Sequence, residues 1–141
     1  MHADAAAEMP VVLTLLGGTV DVVGPAGRRT ISAADLYVGP LESSVGADEI
    51  AVEAFFPALA PGACVAFEEI ARRHGDYALV GVAALVDGDR VSAGYLSVGD
   101  VPTVVDLTGV ADDIHASADY RAQLVRVLTA RVVAAARGAA A

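Results

Sequence analysis

Near the C-terminus, apolar residues recur at the spacing of one helix face. Tyr120, Leu124, Leu128 and Val132 stand four residues apart, with Val127 and Ala135 alongside, while Arg121, Arg126 and Arg131 fall mostly on other faces. Ser117–Ala136 is therefore predicted as a helix. At the other end, the helix formers Ala5-Ala6-Ala7 lead into an apolar run that reaches Leu16. Asp4 is a candidate cap there, with Ala7 at the reciprocal position, so half a capping box is present. Pro10 predicts a restart of this helix with the proline at its first position, and Gly17-Gly18 predicts its end. Between the two helices the period shortens. Thr19–Val23 and Arg29–Ile31 flank Gly24-Pro25-Ala26-Gly27 as a hairpin. Ser32 is positioned to cap a short helical turn, Ala33–Tyr37, which Gly39-Pro40 breaks. Glu49–Phe56 reads as a strand ended by Pro57, followed by a loop over Ala58–Gly62.

Cys64–Ile70 alternates as a strand with mixed faces, a helix being the alternative. Tyr77–Val86 is a nearly continuous apolar run, which periodicity alone leaves as strand or buried helix. Asp87-Gly88-Asp89 followed by Val91–Val98 resembles the second arm of a hairpin and favours strand for both. Gly99–Asp113 reads as a loop or short helix. Partly segregated strands and helices predict an α+β fold with an antiparallel β-sheet, flanking helices and a C-terminal helix, rather than a doubly wound sheet.

The 141 residues are 55% hydrophobic and 5% aromatic, with no Trp, which excludes a disordered chain. A net charge of −9 excludes phosphate-tracking nucleic-acid binding. All nine cations are Arg, a bias that fits a high-GC genome. A single cysteine, Cys64, forms no internal disulfide and makes a reducing cytoplasm the expected compartment. Met9–Val23, interrupted by Asp21, and Tyr77–Val86 are too short to span a membrane as helices. The start Met1-His2-Ala3-Asp4 lacks the cationic beginning of a signal peptide, so an intracellular protein is expected.

The densest polar cluster in an apolar neighbourhood is Arg72-Arg73-His74-Gly75-Asp76-Tyr77. Two guanidiniums, an imidazole, a carboxylate and a phenol precede a strand, as in functional loops on rigid scaffolds. Gly75 allows a tight turn, and Tyr77 offers a face to a planar ligand. The competing reading is a solvated turn with a surface ion pair. His2, His74 and His115 are scattered, and no His/Cys/Asp spacing matches a metal site. Cys64 reads as a small buried hydrophobe. Asp112-Asp113 favour the N-terminal dipole of the following helix.

Three stretches add a resemblance: His2-Ala3-Asp4-Ala5-Ala6-Ala7-Glu8-Met9-Pro10, Phe67–Val80 around the polar loop, and Asp113–Arg121. Together they resemble the medium, FAD-binding subunit of the molybdenum hydroxylases, the carbon monoxide dehydrogenase and xanthine dehydrogenase family. Ser32–Pro40 and Asp48–Pro57 follow the same order. The resemblance implies residues 1–60 as part of a second FAD-binding subdomain and 61–141 as a C-terminal flavoprotein domain. It implies that Tyr77 lies against the isoalloxazine ring, that Arg73, Gly75 and Asp76 shape the loop beside it, and that Asp4 and Glu8 approach the ribityl and phosphate region. It also implies electron relay to an acceptor, with an iron–sulfur small subunit and a molybdenum large subunit as partners, which hold the iron–sulfur clusters and the molybdopterin. The family's two glycine-rich FAD loops have no counterpart here, and Gly99–Asp112 is shorter than usual. The resemblance is therefore to the C-terminal half, and tight FAD binding calls for a second polypeptide that supplies the missing half. A flavin-free subunit-interaction domain and an inactive remnant are the alternative readings.

Overall fold

Every strand pairing in the computed structural model, which describes residues 2–104 and 112–139, is antiparallel. The elements run α1 (Glu8–Leu15), β1 (Thr19–Gly24), β2 (Gly27–Ser32), α2 (Ala33–Leu36), β3 (Tyr37–Gly39), β4 (Glu42–Ser43), β5 (Ile50–Phe55), β6 (Cys64–Ala71), β7 (Ala78–Asp87), β8 (Arg90–Leu96), β9 (Thr103–Val104) and α3 (Ala118–Gly138). They form one sheet in the order β2-β1-β5, a β3-β4 ribbon and a second sheet in the order β6-β7-β8-β9. The class is α+β with a C-terminal helix, as the order of the elements predicts. Within Gly99–Asp113, residues 105–111 lie outside the described residues.

β7 is one of the two interior strands of the larger sheet, and its apolar run follows from burial on both faces. Val80, Val82 and Ala84 pack with Leu124, Leu128 and Val132 of α3, whereas Ala83 and Leu96 meet Val11 of α1. Two residues further along α1, Leu13 enters the other core with Val20, Val22, Ile31 and Leu36. One short helix thus holds both sheets.

α1 begins at Glu8 rather than at Ala5, because Asp4 satisfies the preceding backbone locally. Its Oδ1 accepts the Ala6 N–H at 2.9 Å and its carbonyl accepts the Ala7 N–H at 3.2 Å, which closes a turn before the helix. Pro10 does not restart the helix. It is the third helical residue, still within the first turn, where an N–H has no helical partner. The end at Gly17-Gly18 is a Schellman motif: Gly18 N–H donates to Leu13 O, Gly17 N–H donates to Thr14 O, and Gly17 takes φ +66°. Ser32 and Ser117 cap α2 and α3 through their side chains. Gly39-Pro40 does more than end a helical turn, since it opens the β3-β4 ribbon.

The buried stripe of α3 differs from the predicted one. Tyr120, Val127 and Ala135 are exposed, and Arg121, Val125 and Ala136 join Leu124, Leu128 and Val132 inside. At about 100° per residue, Arg121 lies only about 20° round the helix from Leu128, whereas Tyr120 and Val127 lie about 80–100° away on the other side. A row of residues four apart drifts across the face, and the sheet selects where the drift is centred. No helix among the described residues is long and apolar enough to cross a membrane.

Candidate functional site

Four separate segments converge on an open cleft of about 710 Å³ beside the larger sheet. The N-terminal turn contributes Asp4–Ala6, and the β6–β7 connection contributes Arg72 and Gly75–Leu79. Ser97–Asp100 enter from the end of β8, and Asp112, Asp113 and His115 from the approach to α3, from which Arg121 also reaches in.

The β6–β7 connection is shaped by a tight turn. Asp76 N–H donates to Arg73 O at 3.2 Å, and Gly75 sits third in that turn with φ +88°. A side chain there would be strained, which is why the position suits glycine. The turn delivers Tyr77 to the cleft with 76% of its surface exposed, a phenol ring with an open face.

Arg121 forms the inner wall. Only 5% of it is exposed. One terminal nitrogen, Nη1, donates to Leu79 O at 2.5 Å and to Ser97 O at 2.8 Å, and Nη2 donates to Asp113 Oδ2 at 2.5 Å. Asp113 Oδ1 in turn accepts the N–H groups of His115 and Ala116. The bond from Arg121 and these two backbone donors hold the Asp113 carboxyl at about 2, below the usual carboxylate range. Asp112 takes the helix-end role, as its Oδ1 accepts the Ala118 N–H at 2.5 Å. Two buried polar atoms at the cleft, Arg121 Nε and Ser97 Oγ, have no partner among the described residues. Ser97 itself holds φ +56°, a sparsely populated conformation for a residue with a side chain. Ala3, next to Asp4, does the same at φ +48°.

Of the residues singled out in the sequence, Asp4, Gly75, Asp76 and Tyr77 line this one cleft. Arg73 is outside the lining and contributes its carbonyl to the turn, while Arg72 takes the lining position. Glu8 also lies outside, close enough to Glu69 for their like charges to raise the Glu69 carboxyl, although partial burial of Glu69 is the larger cause. Ser97, His115 and Arg121 were not legible as cleft residues. The available signal for Arg121 was its place within the apolar face of α3.

Five carboxylates, Asp4, Asp76, Asp100, Asp112 and Asp113, line the cleft against Arg72, Arg121 and His115. Asp113 is neutralised by Arg121, and the remaining lining still favours a neutral or cationic group over a diphosphate. The exposed tyrosine ring offers a face on which a planar group could stack, beside two polar atoms without a partner among the described residues. Among the described residues, no three His, Cys, Asp or Glu side chains gather to hold a metal ion.

An antiparallel α+β domain of this topology is the architecture of carbon monoxide dehydrogenase-type medium subunits. The fold matches reconstituted CO dehydrogenase from Oligotropha carboxidovorans with a TM-score of 0.88 at 24% identity, over 97% of this chain and 58% of that one. It matches quinoline 2-oxidoreductase from Pseudomonas putida 86 with a TM-score of 0.83 at 32% identity, over 99% of this chain and 59% of that one. The nicotine 6-hydroxylase medium subunit of Paenarthrobacter nicotinovorans is 36% identical over 94% of this chain and 56% of its own length. No family model matches the chain. By sequence and fold together, the chain belongs to the medium subunits of the molybdenum hydroxylases. It spans little more than half the length of these relatives. The alignment with the nicotine 6-hydroxylase subunit is 162 residues long against 141 here, so that relative carries residues without a counterpart within the matched span.

Proposed function

We propose that this chain is part of the FAD-binding subunit of a molybdopterin-dependent oxidoreductase, and that its cleft takes the isoalloxazine and ribityl end of FAD. The observation that carries the reading is the convergence of Asp4, Gly75, Asp76 and Tyr77 on one cleft in a homologue of medium subunits. Tyr77 presents its exposed ring for stacking, which offers a large contact area with a polar tip. Gly75 and Asp76 set the turn that aims it, with Arg73 closing that turn, and Asp4 faces the ribityl side. Glu8, outside the cleft, approaches the cofactor only if the part of FAD beyond the ribityl chain runs along α1. Ser97 Oγ and Arg121 Nε, without a partner among the described residues, meet polar edges of the ring system on this reading. The acidic lining repels a diphosphate, which requires backbone N–H donors from a polypeptide supplying the other half of the flavin site.

Bound there, FAD would supply the redox group that receives electrons from iron–sulfur clusters and passes them to an acceptor. This chain's own work is to hold the ring system and exclude water from one of its faces. The partners on this reading are an iron–sulfur small subunit and a molybdopterin-bearing large subunit, in the cytoplasm. Residues 1–60 then belong to a second flavin subdomain and 61–141 to a C-terminal domain, with the division in the connection between β5 and β6.

The test is a titration of FAD into the purified chain, with and without the complementing half, followed by flavin absorbance and fluorescence. A flavin band with quenched fluorescence is expected in the presence of that half. Tyr77→Ala should relieve the quenching and weaken FAD by about tenfold, the scale of one lost aromatic contact, with the melting temperature unchanged. Absence of any flavin band with both halves present overturns the reading. The acidic lining favours a second reading, a subunit-interaction domain without flavin, which assembles normally and tolerates Tyr77→Ala.

A further inference from the structure

A buried guanidinium is an expensive way to fill volume, because a core position that needs only packing is served at least as well by an apolar side chain of similar shape. Arg121 nevertheless projects from α3 into the apolar stripe, and every partner it finds is part of the cleft wall. We propose that Arg121 is the positioning residue of the cleft, a single clamp that sets three of its walls relative to one another. The proposal rests on the flavin reading for its purpose and on the hydrogen bonds for its geometry.

The first wall is the start of β7. Arg121 holds Leu79 O, two residues beyond Tyr77, and so anchors the backbone from which the phenol projects. The second is the end of β8. Ser97 O accepts from Arg121, and Ser97 N–H donates to Ala5 O at 2.8 Å, so the clamp continues through a strained residue into the turn that carries Asp4. A backbone in this unfavourable region persists only where its surroundings hold it. The third is the segment ahead of α3. Asp113 pairs with Arg121 and with the amides of His115 and Ala116, which fixes His115 on the cleft. The first two walls are already neighbours in the β7–β8 ladder, which ends at Gly81↔Leu96, and the guanidinium ties the strand ends beyond that pair to the segment ahead of α3.

Amide hydrogen exchange on the full chain tests this, with Arg121→Lys, Asp113→Ala and, as a control, Leu128→Ala on the same helix. A lysine keeps the charge and loses the fork that spans three acceptors. In Arg121→Lys, protection at Ser97, His115 and Ala116 should fall by about tenfold beyond any global change, the weight of one charge-assisted hydrogen bond. Asp113→Ala, which removes the shared acceptor, should release His115 and Ala116 while Ser97 stays protected by its own bond to the guanidinium, and it decides the question if the lysine variant does not fold. Leu128→Ala should raise exchange across β6, β7 and β8 without singling out these amides. Protection at the three amides that follows global stability alone in every variant overturns the proposal. With the complementing half present, Arg121→Lys should also weaken FAD by about tenfold, whereas Leu128→Ala should not. If the wild-type chain takes up no FAD with that half present, the flavin reading fails and the exchange result still decides the role of Arg121.

Discussion

The residues of the cleft differ in what their chemistry demands. Tyr77 needs only a turn that exposes it, and the glycine ahead of it supplies one. Arg121 needs acceptors, because a guanidinium has no acceptable buried state without them. The carbonyls of Leu79 and Ser97 and the carboxylate of Asp113 provide them, from sequence positions far apart. Glu69 is the opposite case. Its carboxyl is raised by partial burial and then by the like charge of Glu8, so the folded state disfavours its ionised form. A group of this sign is least harmful at low pH and destabilises as pH rises through its folded value. Glu69→Gln should therefore stabilise the fold slightly at neutral pH, by less than about 0.5 kcal/mol as for most surface substitutions, seen as a small rise in melting temperature. The gain should vanish near pH 4, and a gain that is constant from pH 4 to pH 8 would refute this account.

Among the elements, α3 carries the sharpest expectation. Leu128 is fully buried against β7, so Leu128→Ala should destabilise by about 2–5 kcal/mol. Tyr120, which a simple four-residue spacing places on the same face, is half exposed, and Tyr120→Ala should cost less than about 1 kcal/mol. Urea denaturation of the two variants checks the pair, and equal losses would mean that the helix faces the sheet differently. The strands show where local pattern suffices. The β1–β2 and β7–β8 hairpins follow from turn residues between apolar runs, and their registers close at Gly24↔Gly27 and Asp87↔Arg90. β7 could be read as strand or helix until its hairpin partner decided it, because burial on both faces erases the alternation that marks a strand.

For the molecule as a whole, α1 joins two cores and the surface is knit by acidic partners of the arginines. Arg28 bridges Asp21 and Glu53 across β1, β2 and β5, Arg29 holds Glu49, and Arg131 reaches from α3 to Glu68 on β6. The bond from Arg29, then that from the Gly46 N–H, holds the Glu49 carboxyl at about 2, close to Asp113. Carboxyls lowered in this way stabilise the fold above their unfolded values near 4 and lose that contribution as pH falls toward 2. Thermal unfolding should thus show a melting temperature that drops between about pH 4 and pH 2, with a shallower drop in Asp113→Asn. A midpoint that holds steady to pH 2.5 would contradict these ion pairs.

The amino-acid sequence determined the α+β class, the hairpins, the C-terminal helix and the polar loop ending in Tyr77, because each is written in residues close together along the chain. It could not show that Asp4 joins that loop while Glu8 and Arg73 stay outside the lining, nor that Arg121 lies inside α3's buried face. Those outcomes depend on the angle at which a helix meets a sheet and on which carbonyls a long side chain then finds within reach. Periodicity fixes the faces of an element, and only packing fixes which part of a face is covered.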